Sequence, residues 1–95
     1  MKPSMKKTGS SIRGRQVLES EQSIVIIGDI EEGATVASKG NVIVTGTIYG
    51  TVIAGASGRR DAVIAALRMQ PKKLRIGEVK VKPVIGGSYS WAKLS

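Results

Sequence analysis

Cysteine, histidine and phenylalanine are all absent from this 95-residue chain. Without cysteine there are no disulfides, thiolate zinc sites or thiol nucleophiles, and a reducing compartment is expected. Without histidine the commonest metal ligand and proton-transfer side chain near neutral pH is also gone. Aromatic residues are reduced to Tyr49, Tyr89 and Trp91. No apolar run approaches the roughly 20 residues a membrane-spanning helix needs, and no signal-peptide core follows the N-terminal lysines. The expectation is a small cytoplasmic domain that is not an enzyme and carries no metal or cofactor.

What is present is Val, Ile, Ala and glycine in a repeating order. The segment Ser23-Ile24-Val25-Ile26-Ile27-Gly28-Asp29-Ile30 aligns with Asn41-Val42-Ile43-Val44-Thr45-Gly46-Thr47-Ile48, one unit of about 18 residues later. After a one-residue deletion, Gly33-Ala34-Thr35-Val36-Ala37 aligns with Gly50-Thr51-Val52-Ile53-Ala54, and Gly40 and Gly58 close both units. Short β-branched runs divided by glycine at such an interval signal a solenoid, in which each turn of chain buries its apolar side only against the next. An all-β chain is expected.

Three regions follow. Residues 1–11, rich in Lys, Ser and Thr without apolar period, read as a disordered basic leader or linker. Residues 12–83 form the solenoid, with strands near 16–19, 23–27, 34–38, 42–45 and 51–54. Residues 61–70 fit a helix face in part, but their Ala-Val-Ile texture falls where another rung is due, and strand is preferred. Pro71 ends that run. Residues 73–77 and 78–82 alternate charged with apolar residues, as half-buried strands do. Residues 84–95, carrying Trp91, are a capping or docking tail.

The net charge of +8 is polarised. Lys2, Lys6, Lys7, Arg13 and Arg15 lie near the start, and Arg59, Arg60, Arg68, Lys72, Lys73, Arg75, Lys80 and Lys82 in the last third. Between them Lys39 stands alone against Glu19, Glu21, Asp29, Glu31 and Glu32. Nucleic acid, an anionic membrane or an acidic protein would suit such an arrangement, and so would simple solubility. Aromatics are not interleaved with these bases as in stacking platforms.

Both faces of the strands at 24–27 and 42–44 are apolar, although a solenoid wall hides only one. An outward strip of Val25, Ile27 and Ile43 is larger than a monomer normally exposes, and a two-fold homodimer would bury it. At about 25 cal/mol per Å2, a few hundred Å2 corresponds to several kcal/mol before association costs.

Catalytic candidates are weak. Asp29, Glu31 and Glu32 sit in a glycine-flanked turn and read as solvated turn residues rather than a carboxylate pair. Gly55-Ala56-Ser57-Gly58-Arg59-Arg60 lacks the Gly-Lys-Ser/Thr ending of a phosphate-binding loop and reads as a corner between rungs.

Three ordered motifs, Gly28-Asp29-Ile30-Glu31-Glu32-Gly33-Ala34, Gly40-Asn41-Val42-Ile43-Val44-Thr45-Gly46 and Ala54-Gly55-Ala56-Ser57-Gly58, resemble the C-terminal domain of the septum-site-determining protein MinC. The resemblance covers residues 12–81. It implies a right-handed β-helix of triangular section that dimerises and binds the membrane-associated ATPase MinD. It also implies a role in inhibiting FtsZ assembly away from the proper division site, with the domain drawn to the inner membrane face only through its partner. The family's N-terminal domain, which antagonises FtsZ directly, has no counterpart in this sequence. The family's MinD-contacting Arg-Ser-Gly-Gln is matched at Arg13 and Gln16 of Arg13-Gly14-Arg15-Gln16, so Arg13, Gly14 and Gln16 are the implied partner site. Lys39 departs from the acidic residue usual before the Gly-Asn pair. The competing readings are a polymerising, bactofilin-like scaffold and a small basic nucleic-acid binder.

Overall fold

The computed structural model describes residues 11–94 in full and the backbone of residues 5–8. The ordered strands are β1 (Met5–Thr8), β2 (Val17–Ser20), β3 (Ser23–Ile26), β4 (Thr35–Ser38), β5 (Val42–Ile48) and β6 (Thr51–Ala54). They continue with β7 (Val63–Met69), β8 (Lys73–Ile76), β9 (Val79–Lys80), β10 (Val84–Ile85) and β11 (Ser90–Lys93).

The strands stack into a β-solenoid with three walls. Sheet A runs β1-β3-β5-β7-β11-β10, and sheet B runs β2-β4-β6-β8-β9. The third wall is a column of single bridges, Ile12 to Ile30 to Ile48, which continues where Ile48 pairs Met69. Pairing through β8 is parallel, because each strand meets its counterpart one turn later. The last strands reverse: β9 pairs antiparallel with β8, and β11 pairs antiparallel with β7 and β10.

Period-two alternation decides the core. Ile24 and Ile26 point inward and are fully buried, while Val25 between them is only half-buried. Residues in register stack like on like: Ile24 on Val42 on Ile64, and Val36 on Val52 on Leu74, all buried. Residues 61–70, balanced in sequence between helix and strand, form β7.

Two expectations are corrected. First, the second halves of the two repeat units differ by two residues rather than one, since Thr35 pairs Thr51 and Val36 pairs Val52. A one-residue slip would have set buried Val36 beside outward-facing Ile53, so the inward alternation fixes the true register. The shortening falls in a corner, where Glu31 to Ala34 is answered by Tyr49 and Gly50. Second, the leader expected to be disordered contributes β1, which pairs in parallel along β3. Pairing to an open strand edge needs only backbone N–H and C=O groups, so a segment without apolar period satisfies it. Residues 1–4, 9 and 10 of that leader lie outside the described residues, as does residue 95.

Candidate functional site

Two surfaces bear on function, and both follow from the stacking. The first is the corner that enters sheet B. After buried Ile12, residues Arg13 to Gln16 make a tight turn in which the Arg13 carbonyl accepts the Gln16 N–H at 3.1 Å. Gly14 has φ +58° and among the described residues no non-glycine has positive φ, so the first central position of the turn alone is left-handed, the pattern of a type II′ turn. The Gln16 side chain closes the turn again, its Oε1 accepting the Arg13 N–H at 2.8 Å. The next rung supports it from behind: the Thr35 N–H donates to the Gln16 carbonyl at 2.9 Å, and a Cβ on Gly33 would lie 2.9 Å from the Gly14 carbonyl oxygen.

Arg13 stands in column with Glu31 and Tyr49, one from each successive corner, and its Nε lies 3.3 Å from a Glu31 carboxylate oxygen. Residues 13–17 are all exposed, Val17 to 64%. The structure therefore brings Arg13, Gly14 and Gln16 together on one firm, outward knuckle. Gln16 spends its acceptor inside the turn, so its amide NH2 is what remains for a partner. Val17 is the residue that sequence reasoning missed here; its position as an apolar first residue of an edge strand was the available signal.

The second surface is the outer face of sheet A. Val25, Ile43, Ala65, Trp91 and Val84 form one row in register across five adjacent strands. Beside that row, Ile27, Leu67 and Tyr89 are exposed, Leu67 to 55%. Ile43, Thr45, Ala65, Leu67 and Tyr89 line a shallow apolar depression. Val25, Ile27 and Ile43 thus share one face, with Ile43 pointing out rather than into the core. Leu67, Tyr89 and Trp91 extend it and were not foreseen. The tail extends sheet A at its edge instead of folding over this face, so the strip stays open. Trp91 is half-buried, its ring centre 5.6 Å from that of Tyr89.

The carboxylates are structural or solvated. Asp29 is half-buried; its N–H donates to Ser11 Oγ at 3.0 Å and its Oδ1 accepts the Thr47 N–H at 2.8 Å, tying three rungs at one corner. This corrects the reading of Asp29 as merely solvated. Glu32 is exposed. Among the described residues no three acidic side chains converge in a way that would hold a metal ion. Ala56 to Asp61 is an exposed corner loop, where the hydrogen bond from Arg59 Nε at 2.6 Å holds the Asp61 carboxyl below the ordinary carboxylate range. Among the described residues no helix is long and apolar enough to cross a membrane.

The sequence pattern of the family described as "Septum formation inhibitor MinC, C-terminal domain" matches residues 7–84. The chain belongs to this family. Probable septum site-determining proteins MinC from Acetivibrio thermocellus and Persephonella marina are 42% and 45% identical to it over 73 and 75 residues. Those alignments take in 77% and 79% of this chain but 32% and 38% of the relatives, so the chain spans about a third of the length of the curated MinC proteins it matches. Among solved structures, a chain of the "MinC:MinD cell division protein complex, Aquifex aeolicus" superposes with TM-score 0.87 at 34% identity. The match covers 96% of this chain and 78% of that one. The β-solenoid of this MinC family domain is therefore also the fold of a chain solved in a division-protein complex.

Proposed function

We propose that this domain is a non-enzymatic adaptor of bacterial septum-site selection, binding a MinD ATPase through the Arg13–Gln16 knuckle and pairing with itself through the outer face of sheet A. The observation that carries the reading is the near-complete superposition on a chain from a MinC:MinD complex, in a molecule whose Arg13, Gly14 and Gln16 stand exposed on one rigid turn. A guanidinium fork beside a free amide NH2 suits an acidic side chain or a backbone carbonyl on the partner. Bound to a membrane-associated ATPase as a dimer, the domain would concentrate an inhibitor of FtsZ assembly away from the correct division site. It would reach the membrane from the cytoplasm.

End-to-end polymerisation is less well supported. The C-terminal end of each sheet finishes in a two-residue strand, β9 or β10, which offers little edge for a further rung.

The test is capture of purified MinD with ATP and with ADP. Arg13→Ala is expected to weaken ATP-dependent binding by about 1–3 kcal/mol, as loss of charge-assisted hydrogen bonds does. Stability should hardly change, because the Arg13–Glu31 pair is exposed and such pairs contribute about 0–1 kcal/mol. Arg60→Ala removes an equal charge from another corner. Equal losses from the two variants would assign binding to bulk electrostatics and refute the site.

A further inference from the structure

We propose that the C-terminal end of the solenoid is itself a docking surface for an anionic lipid bilayer, independent of the MinD-binding reading. The argument begins with charges set against each other. In the β8–β9 hairpin, Arg75 pairs directly with Lys80, and Ile76 with Val79. The Val81 N–H donates to the Leu74 carbonyl, so the register continues and sets Lys82 opposite Lys73. Two cation pairs thus face each other across strands, an arrangement that costs stability. Lys72 adds a fifth base just before β8.

No ion pair among the described residues offsets them. The ion pairs of the described residues are Arg13–Glu31, Lys39–Glu21 and Arg59–Asp61, all elsewhere. On the outer face of sheet B the row containing Arg75 continues through Ile53 and Ala37 to Glu19. Glu19 is three strands away, roughly 14 Å at the usual strand spacing and beyond the screening length of physiological salt. Glu78, the only acidic side chain beyond Asp61 in the sequence, sits in the hairpin turn and makes no ion pair among the described residues. The Nε of Arg75 is buried without a hydrogen-bond acceptor. A cluster kept in mutual repulsion, with Lys73, Lys80 and Lys82 exposed at its surface, is built to receive several negative charges from outside.

The same end of the molecule identifies the class of anion. The terminal strands of both sheets expose apolar side chains: Val79 on β9 and Ile85, at 69%, on β10. A nucleic-acid backbone makes no use of such groups beside its phosphates. A bilayer surface uses both, since lysines meet lipid phosphates while Val and Ile enter the boundary with the acyl chains.

The experiment is sedimentation of the 95-residue chain, without MinD, with vesicles of phosphatidylcholine alone or containing about one-third phosphatidylglycerol. Binding to the anionic vesicles alone, falling as salt rises, is expected. Lys80→Gln with Lys82→Gln should lower it about ten-fold or more, against less than about two-fold for Lys39→Gln. Because Lys80 faces Arg75, the double variant should melt no lower than the parent, which separates lost binding from lost fold. Ile85→Ser should weaken vesicle binding further. The proposal is overturned by equal binding to neutral vesicles, by no binding, or by binding that survives the double substitution. Association with duplex DNA as tight as with vesicles and indifferent to Ile85→Ser would also overturn it, in favour of nucleic acid.

Discussion

Asp29 shows how a charged side chain between glycines becomes part of the framework. Its carboxylate holds the Thr47 N–H of the next rung, while the preceding rung's Ser11 holds the Asp29 N–H. Ser38 works the same way in the interior, fully buried, donating to the Gln22 carbonyl at 2.6 Å and accepting the Gly40 N–H at 3.0 Å. Nothing in the sequence distinguishes these from ordinary turn polars, because Thr47, Ser11 and Gln22 belong to a neighbouring corner or rung. We predict that Ser38→Ala lowers unfolding free energy by about 1–3 kcal/mol, since it strands a buried donor. Asp29→Ala should cost about 1.5–3 kcal/mol and Asp29→Asn, which keeps an acceptor, less. Urea titration measures all three, and a cost below about 0.5 kcal/mol at Ser38 would mean that the corner rearranges.

At the level of the strand, much was legible. The β-branched runs at 23–27, 42–45 and 51–54 are strands because alternating apolar residues at a common interval can satisfy only stacked walls. The corners were less legible. Glycine and polar residues mark where the chain turns but not how many residues the turn consumes, and the register came out one residue off between β4 and β6. The knuckle was found by resemblance of its residues; its internal Gln16 hydrogen bond was beyond any sequence pattern. Inward and outward residues of a single strand give a sharp test. Ile64→Ala, at a fully buried position of β7, should cost about 2–5 kcal/mol through the cavity it leaves. Ile43→Lys, on the outer face of β5, should convert dimer to monomer in analytical ultracentrifugation and leave the strand content unchanged by circular dichroism. A wild-type chain that sediments as a monomer at tens of micromolar would dispose of the dimer.

As a whole the molecule is a stack whose two ends differ. The parallel ladder of sheet A is closed by the antiparallel β11 and then β10. Without them β7 would present a row of unpaired backbone groups, the usual template for unwanted pairing. Deleting residues 84–95 should therefore produce assemblies that grow with protein concentration in light scattering. An unchanged, concentration-independent size would show that β7 needs no cover. The charge polarity seen in the sequence also takes spatial form here, with acidic Glu19 and Glu21 on or just after β2 at one end and the lysines of β8 and β9 at the other.

The loop from Ala56 to Asp61 is exposed at a corner while the strands on either side keep their partners, β6 with β8 and β5 with β7. Chain length is thus uncoupled there from the packed interior. Doubling a flexible loop costs only about 0.6 kcal/mol in closure entropy. A fluorescent label or a short peptide spliced between Ser57 and Gly58 would ride on the outside of the stack, away from both the Arg13 knuckle and the apolar face of sheet A. The protein could then be followed inside a dividing cell with its working surfaces left bare.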